Sequence, residues 1–594
     1  MAIFVVATTG QGDPPVNMRR LWRELVAASL PRTLLEQLRF AVFGLGDSHY
    51  REFNYAARKL HARLGGLGAV AFHRLGLGDD QHDFGLEQEL DPWAEGLWAS
   101  LAELRPPGAE APPGTISETR YLVEELGEAS DGEAAVACRL PSSAEEFQAT
   151  VVGGRCLCTE EHSNSQQDVR NVRLALPAGR RYVAGDVCVV WPQADAALVE
   201  RFVVETLGRG LRERVRIRPA RPGALSSFPD SPLTLAEIFT SYVDISALPA
   251  RHFFQVLSLH TDHKLHKQKL EEFSSRTLEA KDALYEYCRR EKRSAAEVMW
   301  DFWTARPPLA ELLGALPLMR PRRYSIASCP GSCDPGAAPL LAARHWCRYR
   351  RSCRPAWRLL PSGKAAETTL ADALGGQAAA GGRSGSLDLC VAVVSFTTKT
   401  GRECRGLCSS FLADLEPSTR VLCSIERGTL TLPPLDVPLI LVCPGTGLSP
   451  CRALVQERHL EVMGLPSQSL DRATKGLKDL MLLGFRHRDG DYLYGDEWGS
   501  FSPWLEVRVA FSRDHEDRKV YVQDLIEENG AHICRLFDAG ARVYVCGRSH
   551  PMPGQVFDAF AEVLQLHQGL SAAEAADKLR GMQRAQRYIC DTWG

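Results

Sequence analysis

The sequence predicts a multidomain protein in which an α/β domain at each end of the chain flanks a β barrel. Residues 1–105 and 436–594 alternate short apolar runs with helical patterns, which is typical of a parallel sheet covered by helices. Between these regions, short strand-like runs surround a largely helical stretch at about 193–316. This order favours a barrel interrupted by a helical insert over two separate domains. At roughly 150 residues per domain, the 594 residues provide for about four such bodies.

The composition excludes several classes of protein. The formal net charge of −3 argues against a broadly basic nucleic-acid binder, and 18 cysteines are too few for a secreted disulfide scaffold. No pair of cysteines recurs with the spacing of a zinc site, so no metal site is predicted. The sequence shows neither an apolar run long enough to cross a membrane nor a basic, signal-like N-terminus. We therefore expect an intracellular protein with reduced thiols.

The first domain is predicted to contain the buried parallel strands AIFVVATT and FAVFGLGD. The loops that follow them, TTGQGD and LGDSHY, lie at the carboxyl ends of the strands, where such sheets place their chemistry. Residues 106–148 are rich in Pro, Ala and Glu and predict a flexible linker. Residues 341–387 are rich in Arg and Gly without periodicity, and we expect a disordered insertion between barrel strands there.

The last domain carries the motif CPGTGLSPCRA, which follows an apolar strand and opens a helix. Glycines 445 and 447 would let the backbone approach a pyrophosphate at the helix N-terminus, although such a turn can also be purely structural. In FSRDHEDRKVYVQ, the side chains of Ser512, Arg513 and Lys519 could hold a ribose 2′-phosphate. A solvated charged loop is the alternative, and the two motifs in one domain favour NADP.

Two further motifs belong to the barrel. In RPRRYSIAS, Arg322 could pair with a phosphate, Tyr324 could lie against a flat ring system and Ser325 could hydrogen-bond a ring nitrogen. The string CRGLCSSFL predicts a tight glycine turn at the start of a helix, which is a second possible anion-binding site. As isolated strings both are ordinary strand and cap sequences; together, in barrel order, they indicate a bound flavin.

Taken together, the motifs resemble those of the diflavin reductases, which join a flavodoxin-like FMN domain to a ferredoxin-reductase-like module for FAD and NADPH. The matching strings are ATTGQGDPPVNM, LGDSHYREFN, RRYS, RGLCSSFL, PGTGLSP, FSR with KVYVQ, VYVCG and the terminal CDTWG. They occur in the family's order over nearly the whole chain. Within the family, the chain is most similar to the members that serve cytosolic iron–sulfur assembly, because TTGQGDPPVNM, LGDDQH and RGLCSSFLADL match their style, no membrane anchor is found and the linker is short.

The resemblance implies domain boundaries and cofactor sites. It assigns residues 1–105 to the FMN domain, 106–148 to the linker, 149–435 to the FAD-binding barrel and 436–594 to the NADPH-binding domain. For FAD it implies Lys292, Arg322, Arg323, Tyr324, Ser325, Gly406, Leu407, Cys408, Ser409 and Trp593. For NADPH it implies Thr446, Ser512, Arg513, Lys519, Val520, Tyr521, Val522 and Gln523.

The resemblance also implies a hydride-transfer group and an FMN site. Ser325, Cys546 and Asp591 resemble the catalytic group, and Trp593 resembles the aromatic residue that covers the flavin. As single residues, Trp593 could instead anchor the C-terminus and Cys546 could be an inert core thiol. For FMN the implied residues are Ala7, Thr8, Thr9, Gly10, Leu45, Gly46, Asp47, Ser48, His49, Tyr50, Arg51, Glu52, Phe53, Asn54 and Asp80, with Tyr50 stacking on the ring.

Two departures from the family pattern bear on the cofactors. The flavodoxin-like domain is expected to be incomplete, because the first strand and its phosphate loop do not precede TTGQGD. The stretch 341–387 has no counterpart in the family. The resemblance implies an oxidoreductase in which electrons pass from NADPH through FAD and FMN to a one-electron acceptor. The alternatives are an FAD-only NADPH reductase and a non-catalytic isoform that binds the acceptor.

The acceptor and its docking surface are also expectations. Residues 79–104 hold eight acidic residues and neither Lys nor Arg: Asp79, Asp80, Asp83, Glu87, Glu89, Asp91, Glu95 and Glu103. Such a stretch is either a solvated helix face or a patch that steers a basic acceptor. The resemblance implies the iron–sulfur protein anamorsin as the acceptor, and a cytoplasmic location.

Overall fold

The computed structural model describes residues 1–9, 12–50, 52–104, 119–128, 139–221, 223–224, 226–330, 385–464, 476–515 and 517–593. The chain divides into two compact units. The first unit joins residues 1–136, 194–319 and 396–404, and the second joins residues 137–193, 320–395 and 405–594. In the part of the chain that is described, no helix is both long enough and apolar enough to cross a membrane.

The first unit begins with a parallel sheet in which β2 pairs with β1, β3 and β4. Its elements are β1 (Ala2–Ala7), a 3-10 turn (Val16–Met18), α1 (Arg19–Leu25), β2 (Arg39–Gly46), α2 (Tyr55–Gly66), β3 (Val70–Ala71), β4 (Gly76–Asp79) and α3 (Glu87–Glu103). The run RFAVFGLG is buried on both faces because Phe40 packs towards α2 and Phe43 packs against Trp93 of α3. Parallel strands buried on both faces need such continuous apolar runs.

The middle of the chain contributes to both units. Its elements up to residue 315 are β5 (Tyr121–Glu128), β6 (Phe147–Cys156), α4 (Glu160–Ser165), β7 (Val169–Ala175), β8 (Val187–Val190), α5 (Ala196–Glu200), β9 (Glu213–Pro219), β10 (Leu233–Thr234), α6 (Leu235–Glu237), α7 (Arg251–Leu259), α8 (Lys264–Ser274), α9 (Leu278–Leu284), α10 (Ala295–Asp301) and α11 (Leu309–Ala315). Three π-helical segments occur in the insert, at Arg201–Thr206, Ile238–Tyr242 and Tyr285–Arg289.

The predicted linker 106–148 is wrong for two stretches of its residues: β5, and Phe147 and Gln148 at the start of β6. Tyr121–Glu128 forms β5, which pairs with β9 of the helical insert and places Val123 opposite Ile217. The Tyr121 ring is buried and packs edge-on against Phe228 at 5.2 Å between centroids. A flexible linker would leave this ring in water, so burial of apolar side chains fixes the segment. β5, β9 and β10 form one small antiparallel sheet of the first unit.

The second unit contains the barrel sheet, in the order β11-β8-β15-β6-β7-β12 with antiparallel neighbours. The elements in this part of the chain are β11 (Arg322–Ser325), β12 (Ser386–Ala392), β13 (Ser395–Thr397), β14 (Glu403–Arg405), α12 (Leu407–Ala413) and β15 (Arg420–Glu426). β13 and β14 pair with each other, and their residues 396–404 belong to the first unit. Cys408 and Leu412 of α12 are buried in the barrel core. Of the predicted insertion 341–387, residues 386 and 387 belong to β12, and residues 341–384 lie outside the described ranges.

The last region of the second unit is a parallel sheet in the order β18-β17-β16-β19-β20. Its elements are β16 (Leu439–Pro444), a 3-10 turn (Gly445–Gly447), α13 (Leu448–Met463), β17 (Asp479–Phe485), α14 (Arg488–Asp491), a 3-10 turn (Trp498–Phe501), β18 (Leu505–Phe511), α15 (Val522–Glu528), α16 (Gly530–Asp538), β19 (Arg542–Arg548), α17 (Met552–Gln568), α18 (Ala572–Arg584) and β20 (Tyr588–Trp593). The strand order reverses beside β16, between β16 and β19. In open α/β sheets, a crevice forms at the carboxyl ends of the strands at such a switch point.

Candidate functional site

The two predicted FMN loops meet at one edge of the first sheet. Ala7 at the end of β1 lies opposite Leu45, and Gly46 at the end of β2 lies opposite Asp79. The Thr8 hydroxyl accepts a hydrogen bond of 3.3 Å from the Ala56 amide. The segments Thr8–Thr9, Leu45–Asn54 and Asp80 are therefore brought together as the sequence predicts. Gly10 and Arg51 lie outside the described residues.

Asp79, which the sequence analysis did not assign to this site, holds the loop after β2. Its carboxylate accepts hydrogen bonds from the amides of Ser48 at 2.9 Å and Gln81 at 3.1 Å. Burial raises the pKa of Asp79, but these hydrogen bonds outweigh burial and lower it. The doubled aspartate of LGDD was the available signal, and only the structure shows that the first of the pair is the tether.

Asn54 and Tyr50 play different parts in that loop. Asn54 is buried in a left-handed conformation with φ 54°, and its Nδ2 donates to the carbonyl of Gly78 at 2.9 Å. A Cβ at Gly46 would lie 2.6 Å from the Asn54 side chain, so Asn54 packs inward. Tyr50 is exposed at the loop tip and is free to stack on a flat ring. This arrangement fits a flavin held by the loop and covered by Tyr50.

The RRYS strand presents its side chains alternately. The guanidinium of Arg323 forms a bidentate pair with Glu426, at 2.9 and 3.1 Å. Tyr324 is packed against the barrel core, and burial, together with its contact to Cys408, raises its pKa. Burial likewise raises the pKa of Cys408 to about 11. The structure thus joins the RRYS strand to the first turn of α12, as the flavin prediction requires.

The turn before α12 is tightly built around Gly406. A Cβ there would lie 2.7 Å from Cβ of Val394, whose carbonyl accepts the Gly406 amide hydrogen bond at 2.8 Å. The Ser409 hydroxyl accepts from the Val394 amide at 3.0 Å, so it serves the turn. Gly406 provides no side-chain cap for α12, and the first amides of a helix have no intrahelical partner, so those of Leu407 and Cys408 could bind an anion. The Ser410 hydroxyl is buried without a partner among the described residues. This chemistry fits a pyrophosphate.

The NADPH motifs gather at the carboxyl ends of the second parallel sheet. A Cβ at Gly447 would lie 2.2 Å from the carbonyl oxygen of Cys546, so only glycine lets the turn approach β19. Gly445 has φ +57° and open space at its Cβ position, which leaves room for a phosphate beside Thr446. At the end of β18, the Ser512 amide donates to the carbonyl of Phe485 at 2.9 Å, which fixes the start of the predicted phosphate loop.

The other residues predicted to bind NADPH differ in how far their side chains are exposed to solvent. Arg513, Lys519 and Tyr521 are exposed. The Arg513 guanidinium also contacts the side chain of Gln166. Val522 is buried and Val520 packs against the same core, so neither side chain is available to a ligand. Gln523 donates from Nε2 to Gln555 at 2.9 Å, and its Oε1 is buried without a partner among the described residues.

The predicted hydride-transfer residues lie on three strands of the second unit. Cys546 of β19 lies opposite Asp591 of β20. A contact with Cys451, 3.6 Å between the sulfur atoms, and burial raise the pKa of the Cys546 thiol, and burial raises the pKa of Asp591. Trp593 is half-exposed at the end of β20, where its carbonyl accepts from the Ser549 amide at 3.0 Å. Ser325 is the last residue of β11 in the barrel. Lys292, with φ 51°, belongs to the first unit and follows its last π-helical segment.

Half of the predicted acidic patch has partners within the first unit. Glu89 pairs with Arg74, Glu87 lies 3.8 Å from Arg251 and Glu95 lies 3.7 Å from Arg276. Asp91 is buried between Arg251 and Lys281. Asp80 and Asp83 are exposed beside the FMN loop. The expectation of one continuous docking patch is therefore too broad, because four of the five acidic residues of α3 lie near cations of the first unit.

Comparison with known proteins adds three domain matches. The flavodoxin family matches residues 1–93, the FAD binding domain matches residues 143–335 and the oxidoreductase NAD-binding domain matches residues 441–556. Proteins named NADPH-dependent diflavin oxidoreductase 1 match over the whole chain. That of Bos taurus is 34% identical, and those of Schizosaccharomyces pombe and Arabidopsis thaliana are each 31% identical; each match covers 100% of this chain and 91% of the relative.

Proposed function

The chain belongs to the family of NADPH-dependent diflavin oxidoreductases, and we propose that it delivers electrons from NADPH to an iron–sulfur protein of cytosolic iron–sulfur assembly. It is a flavoprotein oxidoreductase with flavodoxin-like, FAD-binding and NAD(P)-binding domains, and its cofactors are FMN, FAD and NADPH. The family, the fold class and the cofactors predicted from the sequence are confirmed. The acceptor, anamorsin or a protein of its kind, and the cytoplasmic location are part of the proposal.

One observation supports the proposal above all: the predicted FMN loops and the predicted NADPH motifs each lie at the carboxyl ends of the strands of their own parallel sheet. The nicotinamide end of NADPH is assigned to Cys546 and Asp591, and its 2′-phosphate to Ser512, Arg513 and Lys519. Cys546 keeps its proton at neutral pH because its thiol pKa is raised, so its role is to donate or to pack rather than to attack. Trp593, exposed at the end of β20, would cover the ring of a bound flavin and would have to move aside for the nicotinamide. When bound, the flavins supply the step from two-electron to one-electron transfer.

FAD and FMN would be bound mainly by backbone amides and aromatic side chains, and less by charged side chains. Arg322 and the amides of Leu407 and Cys408 hold the FAD phosphates, with Tyr324 beside the ring system. The loop from Leu45 to Asn54 holds FMN, with Tyr50 stacked on it. The Asp79 tether keeps this loop in place.

The acceptor is proposed to dock where the FMN loop and free acidic side chains coincide. Asp80 and Asp83 are exposed and follow Asp79, which holds the loop that carries Tyr50, whereas Glu89 and Asp91 of α3 are paired. A basic surface on the acceptor would be steered to this edge. Changing both residues, Asp80→Asn with Asp83→Asn, is expected to raise KM for the acceptor about tenfold at low salt, because roughly 1–2 kcal/mol of attraction is lost. The matched control is Glu95→Gln, whose partner lies within the chain.

The experiment that tests the whole relay begins with the flavins of the purified chain, released by denaturation and separated by chromatography. One FAD and one FMN per chain, with NADPH-dependent anaerobic reduction of a [2Fe–2S] acceptor, is the expected result. FAD without FMN, with dye reduction but no acceptor reduction, would make the chain an FAD-only reductase. Acceptor binding without any NADPH-dependent reduction would make it a non-catalytic isoform.

A further inference from the structure

A buried arginine joins the nucleotide-binding helix to the flavin strand in the second unit. Arg452 lies in the second turn of α13, directly after the Gly445–Gly447 turn, and is 5% exposed. Its Nη1 donates to the carbonyl oxygen of Ala327 at 2.6 Å, and Nε and Nη2 form a bidentate pair with Glu497 at 2.7 Å each. Ala327 is two residues beyond Ser325, at the exit of β11.

A second ring of groups fixes the Arg452 guanidinium. The carboxylate of Asp388 on β12 lies 3.6 Å away and is itself held by Arg173 of β7, at 2.7 and 3.0 Å. The ring of Tyr494 lies 4.1 Å from the guanidinium carbon, and its hydroxyl donates to Asn171 of β7 at 2.7 Å. Arg452 and Asp388 are buried, and charge-assisted contacts between buried groups are directional and strong. Arg173, and Arg155 at 3.8 Å from Glu497, join this network from partly exposed positions.

We propose that Arg452 is a positioning residue for hydride transfer, which sets the nucleotide-binding turn against the strand that carries Ser325. The inference rests on the proposed function, since it concerns the distance between a nicotinamide held at the Gly445–Gly447 turn and a flavin held at RRYS. Hydride transfer needs the reacting atoms within a fraction of an ångström of their productive place, and a 1 Å misplacement can slow it about a hundredfold. The Ala327 carbonyl, which binds Arg452, is only two residues from Ser325, so this hydrogen bond helps to set that distance.

The same helix provides a matched control. Arg458, six residues further along α13, is also buried and pairs with Asp479 at 2.6 Å. Its other contacts are carbonyls of Pro433, Pro434 and Val437, all at the edge of the nucleotide-binding region. Arg458 therefore stabilises that region alone, whereas Arg452 also reaches the barrel. Loss of either arginine removes a buried cation, but only loss of Arg452 loosens the exit of β11.

The test compares the full-length variants Arg452→Lys, Arg452→Met and Arg458→Met with the unmodified chain. The rate of flavin reduction by NADPH is measured by stopped flow, and the affinity for 2′,5′-ADP by calorimetry. Amide hydrogen exchange is followed for residues 322–329. We expect Arg452→Met to slow flavin reduction about ten- to a hundredfold, with 2′,5′-ADP affinity within about threefold and faster exchange at 326–329. Arg452→Lys should recover part of the rate, because it keeps one donor for the Ala327 carbonyl.

The outcomes separate this inference from the proposed function. If the unmodified chain is not reduced by NADPH, the proposed function fails. If it is reduced, and Arg452→Lys and Arg452→Met reduce their flavin within twofold of it, the positioning role is overturned. Equal slowing and equal exchange in Arg458→Met would also overturn it, because the effect would then be general loosening. Should Arg452→Met not fold, Glu497→Gln, which weakens the bidentate pair and keeps the arginine, is expected to show the same split between rate and affinity.

Discussion

Asp91 of α3 accepts two hydrogen bonds from Arg251 of α7, at 2.7 and 2.6 Å. The Lys281 Nζ atom of α9 lies 2.8 Å from the same carboxylate. All three side chains are at most 14% exposed. The flavodoxin-like sheet and the helical insert are therefore joined, within the first unit, by a carboxylate that sequence alone would count as part of an acidic surface.

Replacing this carboxylate should destabilise the first unit and change its acid sensitivity. Burial raises the pKa of Asp91, but hydrogen bonds from Arg251 and Lys281 outweigh burial and lower it from 3.8 to about 2. Because the folded value is the lower one, the contribution is present above about pH 4 and is lost as the pH falls towards 2; it amounts to ~2 kcal/mol. We expect Asp91→Asn to lower the free energy of unfolding at pH 7 by ~3 kcal/mol, since two buried cations lose their partner.

Urea unfolding at pH 7 and in steps down to pH 2 measures both effects, and Glu95→Gln on the same helix is the control. The Glu95 carboxylate is 63% exposed and lies 3.7 Å from Arg276, so its loss should change the stability by less than about 0.5 kcal/mol. Equal losses of unfolding free energy in the two variants would show that the buried ion pairs of Asp91 stabilise the fold no more than the exposed pair of Glu95.

The sequence predicted where strands end better than it predicted what side chains do there. Apolar runs such as VPLILV and FAVFGLG identify buried parallel strands, and the loops that follow must share one edge, so Thr8 and Asp80 could be grouped correctly. The partners of polar groups depend on contacts distant in sequence. The pair of Arg323 with Glu426 spans 103 residues, and no local pattern announces it.

The same limit explains the linker and the missed residues. β5 forms only by pairing with β9, which lies about 90 residues further on, and no local pattern shows this partner. Val522 was assigned to NADPH from a motif, but the packing of α15 turns it into the core. Arg452 stands inside the motif CPGTGLSPCRA, and only its contact with Ala327 gives it a role.

The thiols should differ sharply in reactivity. Cys546 is fully buried and its thiol pKa is raised, whereas the Cys156 side chain is exposed. Since the thiolate is the nucleophile, iodoacetamide at pH 8 is expected to alkylate Cys156 in the native chain at least about a hundredfold faster than Cys546. Mass spectrometry of timed samples measures this, and unfolding in urea should equalise the two rates. Rapid native labelling of Cys546 would contradict the burial of this thiol in β19.

The two glycines of the nucleotide turn should respond differently to a methyl group. In Gly447→Ala the Cβ would lie 2.2 Å from the Cys546 carbonyl, so the turn must move off β19. We expect a loss of about 2–4 kcal/mol in stability and of most 2′,5′-ADP binding. In Gly445→Ala the added Cβ meets no atom. Only the φ of +57° is unfavourable for alanine, which should lower the stability by about 1 kcal/mol. Thermal unfolding and calorimetry measure the pair, and equal effects would contradict the close approach.

Arg513 is expected to decide between NADPH and NADH. It follows β18 at the carboxyl edge of the sheet and is exposed, so a 2′-phosphate could replace its contact with Gln166. A charge-assisted hydrogen bond contributes about 1.5–3 kcal/mol, which corresponds to a roughly 10–100-fold increase in KM for NADPH in Arg513→Gln. KM for NADH should stay within about threefold, because NADH lacks the phosphate. Arg508→Gln on the same strand removes a cation that already pairs with Glu506 and should alter neither value. A parallel rise for both nucleotides in Arg513→Gln would mean that this arginine shapes the loop without reading the phosphate.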